Sequence, residues 1–558
     1  MKKKAWTVVG LFCVLLFLGL ATRSEAFFID ENKTFEFSAK AQARFSFRLQ
    51  GADTEGNQKG FTYPNVPMGN LVQQRNLGIL EIDHDLKSLT KDLDLLYPFR
   101  ALDVNVKYHV VGRFVYEGIY DYGPEIFQDV SDMDKENFDS FKQSYELWEC
   151  YVDMSRGPFF IRAGRQNLAW GETDIFRLLD GINPLDNTFG GPFEDLDDRR
   201  IPLWMLRSSL NLGLVGPISS LTLEGFVVPG KIDAHVGPAP WLPDGSPYGA
   251  PVPRLLAPTF RLVTPDRTWA ESRWGVRMQG LVGANLNVAV AHYKTFLDLP
   301  TPRAYVVGNP PLLADLNSLQ TWWEYPEVQI TGASANYWES MTDIVFRGEV
   351  AMFWKEPVFI PEINNSTLFG PVLPLPPEVL DFLADPDVLG VDLRDLGLNG
   401  IPINPKSGSI PRKDILRYMI GFDKQIWIRP LNKVNIFFLS CQYFGQWVPD
   451  YDNRMRQAAL IYPEPESNPK YTVYPKVKEM EHIFTFMVNT MYLNGNLQPQ
   501  VAVAYDVRGA ILLQPSVNFV WEPFRFMVSY STIMGAFTSF GVFRDRDQVS
   551  LILTYLLS

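Results

Sequence analysis

The sequence predicts an all-β fold: a single transmembrane antiparallel β-barrel of about 16–18 strands, with long external loops partly folded into the lumen. Three observations predict it. Tall segments alternate apolar and polar residues, a secretory leader precedes a chain with no helical span, and long connectors alternate with short ones.

The leader comes first. Lys2, Lys3 and Lys4 precede an apolar run from Val8 to Leu20, and Ser24-Glu25-Ala26 offers a small-x-small cleavage site before Phe27. Residues 1–26 read as a signal peptide and residues 27–558 as the barrel. The leader's apolar run is too short to span, and no later stretch approaches ~20 uninterrupted apolar residues. Without helices, a chain enters a membrane only as a closed barrel, because every backbone N–H and C=O there needs a partner. The expected location is the bacterial outer membrane, with outer-membrane lipid as the first partner.

The first wall segment is residues 35–49. Phe35, Phe37, Ala39, Ala41, Ala43, Phe45, Phe47 and Leu49 alternate with Glu36, Ser38, Lys40, Gln42, Arg44, Ser46 and Arg48. Successive side chains of a strand point to opposite faces, so one face is greasy and the other charged. The segment is also taller than the usual soluble strand of ~5–6 residues. Such a strand suits a barrel wall, with lipid outside and water within.

The pattern recurs. Val104, Val106, Tyr108 and Val110 alternate with Asp103, Asn105, Lys107 and His109; Val501, Val503 and Tyr505 alternate with Gln500, Ala502 and Ala504. Leu416, Tyr418, Ile420 and Phe422 share one face, as do Val549, Leu551, Leu553 and Tyr555. A helical period of 3.6 is absent from these segments. Residues 434–446 fit less well, being apolar on both faces.

Long connectors fall near 50–70, 118–142, 167–202, 229–270, 297–326, 355–412, 447–478 and 534–546. Short ones fall near Ser155–Pro158, Gly216–Ser219, Gly283–Asn285, Glu339–Asp343, Arg429–Asn432, Asn494–Asn496 and Glu522–Phe524. External loops and periplasmic turns alternate in this way. Two connectors break the rhythm: 87–100 is long for a turn and Arg508–Ala510 short for a loop. The apolar, proline-rich loops, 355–412 above all, are expected to pack on something, chiefly within the lumen. A short helix is expected at Pro377–Leu383, with proline at its start.

Composition narrows the function. Aromatics reach 14%, enough for two interfacial girdles, although a large soluble β-protein uses them too. The formal charge of −12 becomes more acidic once the lysine-rich leader is removed, which argues against nucleic acid. Cys150 and Cys441 lie far apart inside strand-like segments and read as free thiols.

Residues 161–207 are the segment most suited to carry function. Arg162, Arg165, Arg199, Arg200 and Arg207 stand near Glu172, Asp174, Asp186, Glu194, Asp195, Asp197 and Asp198. A loop so dense in both signs can fold back into the bore and narrow it, and charged constrictions discriminate by sign and size. Arg162, Arg165, Glu172, Asp186, Arg199 and Arg200 form the expected constriction set. The arginine forks would bind carboxylate or phosphate groups, and the acids would repel anions and fix the arginines. The plainer reading is that the pairs only staple the loop in place. Ca²⁺ at Asp195, Asp197 and Asp198 is weighed against neutralisation by Arg199 and Arg200, and no metal is assigned.

Gly164-Arg165-Gln166, Trp170-Gly171-Glu172, Asn183-Pro184-Leu185-Asp186 and Arg200-Ile201-Pro202-Leu203-Trp204-Met205-Leu206 resemble the signature of a large proteobacterial outer-membrane family, catalogued as domain of unknown function thirteen-oh-two. The resemblance implies one porin-like barrel made from an exported precursor. It also implies work alongside periplasmic or inner-membrane exporters of hydrophobic compounds, with no established substrate.

Catalysis is not expected. His84, His109, His235, His292 and His482 show no metal-ligand spacing, and there is no His-Glu-x-x-His, no Gly-x-Ser-x-Gly elbow and no phosphate loop. No cofactor is assigned. The expectation is an outer-membrane channel or transporter passing or exporting a small or hydrophobic solute. A non-conducting structural or adhesive barrel acting through its loops is the alternative, and a soluble secreted β-protein is the remaining one.

Overall fold

The structure, a computed structural model, describes residues 27–557 apart from 29, 31–32, 51–66, 87–96, 98–102, 126, 128–141, 188–195, 239–259, 309–317, 367–371, 375, 379–399, 403–405, 458–475, 537 and 544–545. The expected leader at 1–26, Glu194, Asp195 and nearly all of the helix expected at Pro377–Leu383 lie outside the described residues.

Eighteen strands close into one antiparallel barrel. In chain order they are β1 (Phe35–Arg48), β2 (Leu71–Asp85), β3 (Asn105–Glu117), β4 (Gln143–Arg156), β5 (Phe159–Gln166) and β6 (Leu203–Val215). Then come β7 (Ile218–Val228), β8 (Arg273–Val282), β9 (Leu286–Phe296), β10 (Glu327–Glu339), β11 (Ile344–Pro357) and β12 (Arg412–Ile426). The last are β13 (Phe437–Trp447), β14 (Met480–Thr490), β15 (Leu497–Asp506), β16 (Ala510–Trp521), β17 (Phe524–Gly535) and β18 (Gln548–Leu557). Each pairs with its neighbours in sequence. β18 returns to β1 in a register running from Ala39↔Leu557 to Arg48↔Gln548. Ser46 Oγ and Ser550 Oγ meet at 2.8 Å across this seam. A two-residue strand, Phe27–Phe28, extends the pairing opposite Phe37 and Glu36. Closure removes the sheet edges that would otherwise pair with other chains.

The alternation maps onto the two faces of the wall. In the β1–β2 register, Ser38, Lys40, Gln42 and Arg44 lie opposite Glu81, Ile79, Leu77 and Arg75 on the inner face. The outer face carries exposed apolar side chains around the circumference, among them Phe114, Ile161, Met278, Phe346, Phe484 and Leu553. A belt of this extent in contact with water would drive association. Acyl chains solvate it without cost, so the cylinder is a transmembrane barrel.

Short turns join strands at one rim. Gly157, Gly216 and Gly283 lie in them at φ +55°, +59° and +64°, a left-handed conformation that glycine alone adopts freely. Long loops leave the other rim, and both irregular connectors stand where the sequence places them, 86–104 among the turns and 507–509 among the loops. Beyond the long-loop rim, Phe260–Val263, Thr301–Val306 and Leu319–Glu324 form a small three-stranded sheet.

The main hydrophobic core lies inside the bore. Leu168, Trp170, Leu178, Leu179 and Ile182 of the 167–202 loop pack against inner-wall residues of β6 to β13, including Met205, Phe226, Tyr293, Ile330 and Phe444. Val358, Ile360 and Met455 from other long loops join them. This accounts for the doubly apolar segment near 434–446: Phe444 faces inward but meets the plug, not water. Cys150 and Cys441 are free, half-buried thiols.

Candidate functional site: a loop across the bore

The site begins where β5 ends. Gly164 adopts φ +140°, and a Cβ there would sit 2.1 Å from the Cys150 carbonyl oxygen, so only glycine fits. Gln166 is buried, and its amide donates to the Met205 carbonyl at 3.1 Å. From there the chain turns inward. Asn183 closes the neck of the loop: its side-chain oxygen accepts the Leu168 N–H at 2.9 Å, and its amide donates to the carbonyls of Gln166 at 3.2 Å and Ile201 at 2.8 Å.

The loop then reaches the far wall. Trp170, 2% exposed, sits edge-on to Phe226 and Tyr293, with ring centroids 5.2 and 5.9 Å away. Glu349 on β11 accepts the main-chain N–H of Glu172 at 2.8 Å and of Leu179 at 2.6 Å. Arg347, two residues earlier on the same face, forks onto both Asp174 oxygens at 2.8 Å and also binds Asp423 at 2.8 Å. Gln442 donates to Asp174 at 2.9 Å. Arg177 pairs with Asp298 and donates to the Asn183 carbonyl at 2.7 Å.

The return limb crosses to the opposite side. Arg200 donates to Asp180 at 2.5 Å and Asp197 at 2.6 Å. The helical turn Leu196–Arg199 brings Asp198 within 3.9 Å of Lys40 on β1, and Arg113 on β3 donates to the Asp198 carbonyl at 3.4 Å. The loop therefore bridges the bore from β11–β13 to β1–β3. Asp180 is buried, and burial pushes its carboxyl above the usual carboxylate range against the pull of Arg177 and Arg200. Buried ion pairs of this kind fix geometry more than they add stability.

The six expected constriction residues have three fates. Arg162 faces the bore and forks onto Asp153 at 2.7 and 2.8 Å, lying 3.8 Å over the Tyr151 ring. Glu172, Asp186, Arg199 and Arg200 belong to the crossing loop. Glu172 engages the wall through its main chain: its N–H reaches Glu349 and its carbonyl accepts Arg347 at 2.9 Å. Asp186 and Arg199 clasp each other, the Asp186 N–H donating to the Arg199 carbonyl at 2.7 Å and the Arg199 side chain to the Asp186 carbonyl at 3.3 Å. Arg165 sits at the root of the loop. Its register partners are Cys150 and Trp204, the outer-face set, and its guanidinium binds the carbonyls of Leu147 at 2.7 Å and Pro202 at 3.2 Å and the Glu146 carboxylate at 3.3 Å. It fastens the root of the loop.

Glu349, Arg347 and Lys40 could not be found as loop contacts from sequence, since each is far from the loop in the chain. Among the described residues, Glu81, Asp83 and His109 bring metal-ligand atoms within 4.8 Å of one another. They sit on the inner wall, where His109 Nδ1 lies 2.8 Å from Asp83 Oδ1. Of the acids weighed for Ca²⁺, Asp197 is taken by Arg200 and Asp198 approaches Lys40.

A closed eighteen-stranded wall, an apolar exterior and a loop threaded across the lumen define a transmembrane β-barrel with a built-in plug. The chain belongs to the family described as Protein of unknown function (DUF1302), whose model matches residues 7–557. No curated protein matches it. Among solved structures it is similar to Pseudomonas aeruginosa OccK3 (OpdO), at 9% identity and TM-score 0.44, covering 97% of this chain and 99% of that one. It is also similar to a BenF-like porin from Pseudomonas fluorescens Pf-5, at 9% identity and TM-score 0.42, covering 95% and 100%. A third is Acinetobacter baumannii OccAB1, at 10% identity and TM-score 0.41, covering 96% and 98%.

Proposed function

We propose that the protein is an outer-membrane channel for small polar solutes, with the 167–202 loop setting the width and charge of the passage. The observation that carries this is the bridge itself: Asp174 is held by Arg347 on one wall while Asp198 approaches Lys40 on the other. A plug tied at both sides leaves a passage along part of the wall only. The apolar side chains of the loop are spent on packing, which favours a polar over a greasy passenger.

Conductance of the purified protein in planar bilayers tests the reading. The wild type is expected to carry a steady current, and a variant with residues 172–182 replaced by a short Gly-Ser linker a larger one. Absence of current from both, with the barrel folded, would favour the non-conducting scaffold.

A further inference from the structure

The main apolar core of the plug packs on the arc from β6 to β13. Higher on the remaining arc, Phe540 packs with Ala504, Leu512 and Ile533. Nearer the short-turn rim, β14 to β18 and β1 enclose an open cavity of about 340 Å³. Among the described residues, Arg44 is the only charged one lining it. The rest of its polar lining is amide and hydroxyl.

These groups differ from the polar groups of the plug in one respect. Polar groups of the plug such as Asn183 and Asp174 are engaged with the wall. The side chains of Asn489, Gln500, Ser516, Ser529 and Gln548 line the cavity and make no hydrogen bond within the described chain. The register puts Asn489 opposite Gln500, Gln500 opposite Ser516, and Ser516 opposite Ser529. They form a continuous row across four strands on one face.

An amide offers two donors and two acceptor sites, and a hydroxyl offers one donor and two. A simple ion of either sign uses only half of such a row, and a hydrocarbon uses none. A solute whose every hydroxyl both donates and accepts uses all of it. The size also fits: small-molecule sites begin at roughly 300 Å³. We infer that the row Asn489–Gln500–Ser516–Ser529 with Gln548 is a binding site for an uncharged polyhydroxylated solute on the scale of a mono- or disaccharide. The inference rests on the channel reading for the solute's route to the site, and names the passenger class.

Calorimetric titration of the full chain, held in a polyoxyethylene detergent without sugar headgroups, tests it with maltose, mannitol, benzoate and laurate as probes. Maltose or mannitol is expected to bind saturably, and benzoate and laurate are not. Gln500→Leu with Ser529→Ala should weaken sugar binding at least tenfold. Ser529→Ala alone, the milder change, should weaken it about threefold, and heat-modifiable gel migration checks closure of each barrel. No sugar binding by the wild type, equal binding by the folded variants, or equal binding of benzoate or laurate would each overturn the site. Bilayer conductance of the same preparations separates the two readings. A conducting barrel that binds no sugar overturns the site alone, and a sugar-binding barrel that never conducts overturns the channel alone.

Discussion

Glu349 holds Leu179: a wall carboxylate accepts the N–H of a loop residue 170 positions earlier in the chain, at 2.6 Å, while its other oxygen takes the Glu172 N–H. Leu179 is 1% exposed, so its amide has no water to fall back on. The carboxylate is the peg on which the middle of the plug hangs.

Removing the peg should release the plug. Glu349→Ala leaves two N–H groups without an acceptor, at about 1–3 kcal/mol for each one that stays buried. The expected result is a larger and noisier single-channel current, together with new protease cleavage within 172–180. Glu349→Gln keeps one carbonyl acceptor and should give a smaller effect. Wild-type current and protection in both variants would show that the packing of Trp170, Leu179 and Ile182 holds the loop unaided.

Charge selection should follow the face of the wall, not the density of charge in the sequence. Lys40 lies on the inner face beside Asp198, whereas Arg165 belongs to the outer-face register and is bound to carbonyls. Lys40→Glu is expected to move the reversal potential in a salt gradient toward cations. Arg165→Ala should leave it in place and instead lower the thermal stability of the barrel.

Acid should loosen the long-loop rim at a low and definable point. Asp233, just beyond β7, is buried, which raises its pKa. Hydrogen bonds from His235 and from the N–H groups of Trp204 and His235 outweigh this and hold it down to about 2. A depressed carboxyl stabilises the folded state fully above its unfolded value of about 3.9, and the contribution is lost as pH falls toward 2. Proteolysis by pepsin across this range should show protection of 229–238 declining only in the lowest part. Asp233→Asn should remove the pH dependence.

The outer face can be probed directly. Phe484 on β14 is 48% exposed on the lipid side. An arginine there, if near the midplane, should cost roughly 2–4 kcal/mol of folding free energy in bilayers. The same change at Thr485, whose side chain points into the bore, should cost much less. Equal effects at the two positions in a vesicle-folding titration would contradict the assignment of faces.

The wall was legible because its physics is local. β1, β3, β15 and β18 each stand between lipid and a polar interior, so period-two alternation is written into single segments. β13 was harder to read because Phe444 meets the plug, an inner surface that is itself apolar. The bridging loop could be located from its charges and motifs, but its contacts could not. Glu349 and Lys40 meet it only after the cylinder has closed. Polarity alone does not fix facing at Arg165: its backbone register is that of the outer face, while its guanidinium reaches the Leu147 and Pro202 carbonyls and the Glu146 carboxylate. Gln500 and Ser529 gave no signal beyond being polar, since an unspent hydrogen bond is visible only in three dimensions.

The contact between Ser46 and Ser550 spans 504 positions of sequence. Growth of the sheet hairpin by hairpin can build most of the wall, but the zip that turns a curved ribbon into a tube is the least local step, and non-local steps are slow. Until it happens, both outermost ladders present open N–H and C=O rows to a medium that cannot satisfy them. Insertion is therefore a race between tail-to-head joining and clumping with neighbouring copies through those two ribbons.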